Sequence, residues 1–439
     1  MRKPNVLVFM SDQQRFDTLG CNGQPLEITP NLDRMAREGI NYTRAYTPQP
    51  VCGPARSLLQ TGLFPTQTGC YINGIPLPLD CDTLAHRMRR AGYRVGYVGK
   101  WHLASGNANY KTSPVPPELR GGYNEYWVAS DVLEATSHGY GGYLFDANGE
   151  RKDFDGYRAD CVTDFALEYI ETQNSETPFF LFLSHIEPHH QNDRNRYEGP
   201  EGSRERYADF SPPLDLEPGQ GDWEAQYPDY LGCCHALDRN LGRVVSRLKE
   251  KGLYDNTIII YTTDHGCHFK TKTHEAAANG ADDYKRNCYE NTIHIPMVIR
   301  GPGFMGGMES RRLTSLLDIP KTIVEAAGGD SNGMLGVSLL DRECPKEVYI
   351  QISESFVGRA IRTDQYTYCV HAPHKHPYQD SRSEEYEDRA LFDNAADPCQ
   401  KHNLARDPSF QRIKADLRAR LIACAEAAGE GTLSIQEKP

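Results

Sequence analysis

The chain has 439 residues, 38% hydrophobic and 25% charged, with a formal net charge of −12. That length can bury a large core and holds two domains or one large domain with an appendage, which excludes a peptide-sized module. The acidic balance, with no basic stripe, argues against a nucleic-acid partner.

The opening MRKPNVLVFMSDQQR has an apolar run, Val6 to Met10, that is too short for a membrane span and ends in charge without a small-residue cleavage site. It predicts a buried strand at 5–9. No other segment offers the roughly 20 apolar residues of a spanning helix. The expectation is a cytoplasmic protein with no membrane partner, or a periplasmic or secreted one if a leader has been trimmed. TPNLDRMAREG (29–39) has helical spacing. In QPVCGPARSLLQTG (49–62) Pro54 suits a first helical position, since it has no N–H to lose there. Cys52 and Arg56, one turn apart, then share a face near a helix end whose free N–H groups attract anions. Further along come a helix (83–92), strands YRVGYVG (93–99) and PFFLFLS (178–184), and a helix at 157–171 between them. In the helix at 237–252, Leu237, Leu241, Val244, Val245 and Leu248 form one apolar stripe and Gly252 supplies the stop. Strands NTIIIYTTD (256–264) and IPMVIRG (295–301) follow.

Strand and helix in alternation predict an α/β fold, a mainly parallel central sheet flanked by helices on both faces. Beyond about residue 345 the pattern changes to short strands (EVYIQISE, GRAIRTDQYTYCV, RALFDNAAD) and a helix at about 408–428, with a polar loop in HAPHKHPYQDSRSEEYED. The expected division is a main α/β domain at 1–345 and a C-terminal subdomain at 346–439, a smaller antiparallel sheet plus a terminal helix. No internal repeat or long linker is evident. The 13 cysteines are odd in number and scattered, with one adjacent pair at Cys233 and Cys234 and no CxxC. They indicate neither a disulfide framework nor a zinc ribbon, but small buried residues in a reducing compartment.

Ligands of parallel sheets bind at the carboxyl edges of the strands. Asp12 and Gln13 follow the first strand, and Asp264 and His265 follow TIIIYTT. Two acid-led pairs at two strand ends suit a divalent cation, although one such Asp alone is more often a helix cap. KWHLASG brings Lys100 and His102, HIEPHH brings His185, His189 and His190, and YKRNCYENTIHIP brings Lys285. Each cation alone would be an ordinary solvated charge. Arg56, Lys100 and Lys285 converging on a metal and a helix N-terminus would instead hold a tetrahedral oxyanion. His185 and His190 read equally well as loop residues that satisfy backbone groups. Cys267, His268 and His274 mimic a zinc cluster without its usual spacing, and a substrate-facing loop is the better reading.

These segments carry a resemblance. PNVLVFMSDQQ, CGPARSLLQTG, GYVGKWHL, TTDHG, KRNCYENTIHIPMVIRGPG and the RAIRTDQYTY…LFD…DP…NL tail occur in an order similar to that of the formylglycine-dependent sulfatases of the alkaline-phosphatase-like superfamily. Gln60 departs from the usual apolar residue of the signature, and Gln13 from the second Asp of many relatives. The resemblance implies that a separate maturation enzyme oxidises Cys52 to formylglycine, reading Pro54 and Arg56. It implies that Asp12, Gln13, Asp264, His265 and residue 52 hold one divalent metal, Ca²⁺ by preference over Mn²⁺ or Mg²⁺. Arg56, Lys100 and His102 would position the hydrated aldehyde, with His102 a base for its collapse. Lys100, His189 and Lys285 would bind sulfate, with His189 or Lys285 protonating the leaving oxygen, and Asn73 a lesser polar contact. The substrate would be a sulfate ester of a small molecule or oligosaccharide, read by the C-terminal subdomain around Ser353 to Arg362 and the loop at 371–376.

The alternative is a phosphonate monoester or phosphodiester hydrolase, which shares CGPAR and the Asp-Gln and Asp-His pairs but lacks the GKWH element. A phosphotransferase relative would use an unmodified Ser or Thr at position 52. A non-catalytic binding protein would be marked by loss of a metal or cationic residue, and none is missing. The sequence leaves oligomeric state open.

Overall fold

The computed structural model describes residues 2–104, 110–272 and 284–437. The main sheet contains, in chain order, β1 (Asn5–Ser11), β2 (Ile40–Tyr42), β3 (Arg94–Lys100), β4 (Tyr126–Ser130), β5 (Tyr140–Asp146), β6 (Arg151–Tyr157), β7 (Phe179–Ser184), β8 (Thr257–Thr263), β9 (Met297–Arg300) and β10 (Met308–Ser310). Their spatial order is β10-β2-β9-β8-β1-β7-β3-β4-β5-β6. The central run β8-β1-β7-β3-β4 is parallel. β9 runs antiparallel to β8, and β5 and β6 extend the other edge as an antiparallel hairpin.

Every residue of β1, β7 and β8 is buried, which is why those strands read as continuous apolar runs rather than as alternating ones. The helices that frame the site and core include α1 (Pro30–Glu38), α2 (Cys52–Thr61), α3 (Leu84–Arg90), α4 (Leu133–Thr136), α5 (Arg158–Glu171), α6 (Trp223–Glu250), α7 (Asp318–Ala326) and α8 (Gln411–Ala427). Val6, Val8 and Met10 of β1 face a core shared with Leu58, Leu84, Met88 and Ile319 of α2, α3 and α7. Leu7 and Phe9 face the other core, with Leu32, Val162, Leu237 and Leu241 of α1, α5 and α6. The period-two alternation of a strand thus divides one apolar run between two helical layers.

A second sheet holds β11 (Glu347–Ile352), β12 (Gly358–Thr363), β13 (Tyr366–His371), β14 (Glu385–Asp393) and β15 (Ser434–Gln436), in that order, with α8 packed on it. It is antiparallel except for β15, which pairs parallel with β14. The expected terminal helix is therefore followed by a strand. Two further differences have local causes. α6 begins 14 residues before the expected 237, because Pro228 lies in its second turn, where it removes one hydrogen bond without ending the helix. The strands at 140–157 differ from the reading because Gly and charged residues dilute the apolar signal on this half-exposed edge, and β4 because its apolar run is only four residues long.

Gly99 is essential to the sheet. Its φ is +104°, and a Cβ there would lie 1.9 Å from the carbonyl oxygen of Ser184 in the neighbouring strand. Gly99→Ala is therefore expected to destabilise the fold by about 3 kcal/mol or more, combining backbone strain with overpacking. A shift of the urea midpoint measures this, and an unchanged midpoint would contradict the register.

Candidate active site

The register Ser11↔Thr263 ends two parallel strands side by side, so Asp12 and Asp264 emerge together at the carboxyl edge. Lys100 is the last residue of β3, two strands away. Facing this edge, α2 opens at Cys52, with Val51 as its N-cap, which puts Pro54 third in the helix rather than first. Proline is harmless there too, since N–H groups of the first turn have no partner within the helix. Asn73 Oδ1 accepts the Gly53 N–H at 2.8 Å and caps this turn.

Cys52 Sγ is contacted by Lys285 Nζ at 3.1 Å and His265 Nε2 at 3.2 Å, with Asp12 Oδ1 at 3.5 Å. Arg56 Nη2 donates to Asp12 Oδ2 at 2.9 Å, and Nη1 to the Lys100 carbonyl and Ser184 Oγ. Lys100 Nζ donates to the same Asp12 Oδ2 at 2.8 Å. His189 Nε2 lies 3.3 Å from Lys285 Nζ. Burial disfavours the Cys52 thiolate, but Lys285, Lys100 and His265 outweigh it and hold the thiol well below its ordinary value. His102 adds to this lowering. Burial and Cys52 raise the Asp12 carboxyl, yet Lys100, His189 and Arg56 bring it below its usual range. Burial, then the Asp12 charge, raises that of Asp264.

Asp12, Cys52, Asp264 and His265 each offer a ligand atom, all within 4.8 Å of one another. A cation fits this donor set. Asp264 Oδ2 is buried without a hydrogen bond, its nearest charge being Arg56 Nη2 at 3.4 Å. His265 Nδ1 meets the Gly266 carbonyl at 2.9 Å, which makes Nε2 the lone-pair atom facing the centre. Gln13, in a left-handed conformation at φ 64°, directs its amide nitrogen to Tyr197 Oη and Cys267 Sγ, leaving its oxygen to offer.

The structure thus brings together Asp12, Gln13, Cys52, Arg56, Lys100, His102, His189, Asp264, His265 and Lys285. His185 is instead a core residue, packed on Phe9, and burial lowers its pKa to about 4. His190 is buried against Tyr284 and Tyr197. Cys267 is engaged by Tyr197 and Gln13 rather than by a zinc cluster, and His274 lies outside the described residues. Gln60 accepts from Tyr123 Oη within the core, which explains a polar residue at that position.

Two acids escaped the sequence reading. Glu354, from the turn after β11, accepts the Asn73 N–H at 2.6 Å and Arg286 Nε at 2.6 Å, bracing both the α2 cap and the segment next to Lys285. Arg359 and Arg362 of the expected substrate-reading region are committed to Glu430 and Glu290. Glu134, on α4, reaches Lys100 and His189; the available signal was its place just beyond a strand end, but that strand had not been recognised.

A parallel sheet with acids at its carboxyl edge and a cation-ringed nucleophile position on the facing helix defines a hydrolase of the alkaline-phosphatase-like class. The sulfatase family model matches residues 4–329. The chain is 30% identical to an ulvan-active sulfatase of Formosa agariphila, over 95% of this chain and 80% of that protein. It is 25% identical to an N-acetylglucosamine-6-O-sulfatase of Bacteroides thetaiotaomicron, over 74% and 68%. A crystal structure of a YidJ-type sulfatase from Bacteroides fragilis superposes with TM-score 0.80 at 25% identity, over 98% and 96% of the two chains. A phosphonate monoester hydrolase of Agrobacterium radiobacter shares the fold at TM-score 0.72 and 21% identity, over 97% and 96%. The chain belongs to the sulfatase family and is a sulfuric ester hydrolase. Among the described residues no helix is long and apolar enough to cross a membrane.

Proposed function

We propose that this sulfatase hydrolyses the sulfate ester of a carbohydrate, using formylglycine made from Cys52 and a divalent cation held by Asp12, Gln13, Asp264, His265 and residue 52. The observation that carries the reading is Cys52 at a helix N-terminus, met on one side by Lys285 and on the other by the Asp12, Asp264 and His265 cluster. When present, the cation supplies Lewis acidity and the hydrated aldehyde supplies one hydroxyl to attack sulfur and a second whose deprotonation frees sulfate. Hard oxygen donors favour Ca²⁺, with Mn²⁺ or Mg²⁺ as substitutes.

The chain's own groups do the rest. Lys100 and Lys285 are buried ammonium groups placed to hold sulfate oxygens, and the low-dielectric surroundings strengthen that attraction. Arg56 bridges Asp12 and Asp264 and fixes the turn that carries residue 52. His102 faces residue 52 as the base that receives its proton, and His189 protonates the alcohol oxygen as it leaves. Cys52 and Arg56 are 1% and 2% exposed, so a maturation enzyme that reads this motif must act before the chain folds.

We assign residues 1–345 as the catalytic domain and 346–439 as a subdomain that braces the site through Glu354. A sugar substrate is supported by the similarity to a relative named N-acetylglucosamine-6-O-sulfatase. Phosphonate cleavage is the second reading, favoured by Gln13 and His265. Matured enzyme should cleave sulfated monosaccharides in preference to phosphonate and phosphate esters in a side-by-side panel. Preferential phosphonate cleavage would reverse the ranking.

A further inference from the structure

Glu134 places a carboxylate in a pocket otherwise made for an anion. Its Oε2 is 3.7 Å from Lys100 Nζ and 3.6 Å from His189 Nδ1, and its Oε1 accepts from Asn192 Nδ2 at 3.3 Å. Its backbone carbonyl accepts from Gln191 Nε2 at 3.0 Å, which ties α4 to the segment carrying His189. An acid here opposes sulfate binding by simple charge, so its place needs another reason.

The His189 ring supplies one. Its Nε2 meets Lys285 Nζ, and an ammonium only donates, so Nε2 accepts and the proton of the neutral ring sits on Nδ1. Nδ1 is buried without a hydrogen bond, and the carboxylate of Glu134 lies within ion-pair distance of it. Such contacts are often long before substrate arrives and tighten in the complex. Burial raises the Glu134 carboxyl, but His189, Lys100 and His102 lower it further, leaving it ionised.

We infer that Glu134 is a positioning residue for the sulfatase reaction, holding His189 with Nδ1–H toward its carboxylate so that Nε2 faces the leaving alcohol and the imidazolium is stabilised. The inference rests on the reading of His189 as proton donor. As the sulfur–oxygen bond to the alcohol breaks, its electron pair goes to the alcohol oxygen, which takes the proton from Nε2 of the His189 imidazolium, the form in which Nε2 is a donor and Lys285 Nζ turns from it to the sulfate. The ring is left neutral with Nδ1–H still toward Glu134, and Nε2 regains a proton from solvent before the next turnover. An aliphatic alcohol of a sugar leaves poorly as an alkoxide and needs that proton, whereas nitrophenolate leaves without one. The role therefore scales with the leaving group, as a general loss of packing or of sulfate binding does not.

The test compares wild type, Glu134→Gln and His189→Gln, each carrying formylglycine, on 4-nitrophenyl sulfate and on the sulfated monosaccharide that wild type cleaves fastest. Glu134→Gln keeps the shape of the side chain and removes its charge. The expected result is a fall in kcat/KM at least about tenfold greater on the sugar sulfate than on the aryl sulfate, a part of the 10²–10⁴-fold that general acid catalysis contributes. His189→Gln should show the same bias more strongly. Equal losses on the two esters for Glu134→Gln, with a biased loss for His189→Gln, would overturn the role of Glu134 and leave that of His189. Equal losses for His189→Gln would overturn the proton-donor reading and the inference built on it.

Discussion

Replacing Cys52 with alanine is expected to lower kcat/KM roughly 10⁴-fold or more, because on the proposed reading it removes the thiol whose oxidation turns Cβ into the aldehyde. The substitution deletes a single buried sulfur at the start of α2, while the Asn73 cap and the Arg56 contacts do not depend on it. Folding should therefore survive, with an unfolding midpoint close to that of wild type. Two measurements check this: turnover of the preferred sulfate ester, and a peptide mass spectrum across residue 52. Wild type from a host with a maturation enzyme should show the thiol replaced by an aldehyde. An unmodified Cys52 in a host that converts a control sulfatase, with activity retained in the alanine variant, would remove formylglycine from the mechanism.

Asp264→Asn should abolish stoichiometric metal binding and reduce turnover about 10³-fold, corresponding to the several kcal/mol that a cation contributes at a developing charge. Asp12 and Asp264 are both fully buried, and Asp264 Oδ2 lacks a hydrogen bond. Arg56 offsets only part of the repulsion between two such carboxylates, and a metal would offset more. Chelation should then lower the wild-type melting point, by the equivalent of about 2.7 kcal/mol where metal had stood at 100 times its Kd. In the Asn variant the melting point should scarcely respond to chelator, since the ligand and one of the repelling charges are gone together. Metal analysis that finds one equivalent in the variant would exclude Asp264 as a ligand.

The parts of this site legible in the sequence are those attached to strong local patterns. Asp12 and Asp264 each follow a fully buried strand and Lys100 ends one that is buried after its first residue, and buried strands announce themselves as apolar runs. Cys52 and Arg56 were legible because helical periodicity puts residues four apart on one face. His189 and Lys285 lie on irregular segments, and it was their family motif rather than any periodicity that singled them out. Glu354 had neither kind of signal, and Glu134 had only that of a short strand before it. Glu134 follows β4, whose apolar run YWVA is short, and Glu354 comes from a different sheet, 281 residues from the Asn73 it holds.

By itself, then, the sequence determined the α/β class, the strands of the parallel centre, and the residue types of a sulfatase site, because hydrophobic period and short motifs are local properties of the chain. Tertiary structure alone decided which groups touch. The β1–β8 register brings Asp12 beside Asp264 across 252 residues, Gly99 lets β3 approach Ser184 closely, and the turn at Glu354 braces the catalytic helix from outside the main sheet. Such contacts depend on how whole layers pack, and the burial that gathers Lys100, Lys285 and His189 out of solvent is a property of the assembled fold.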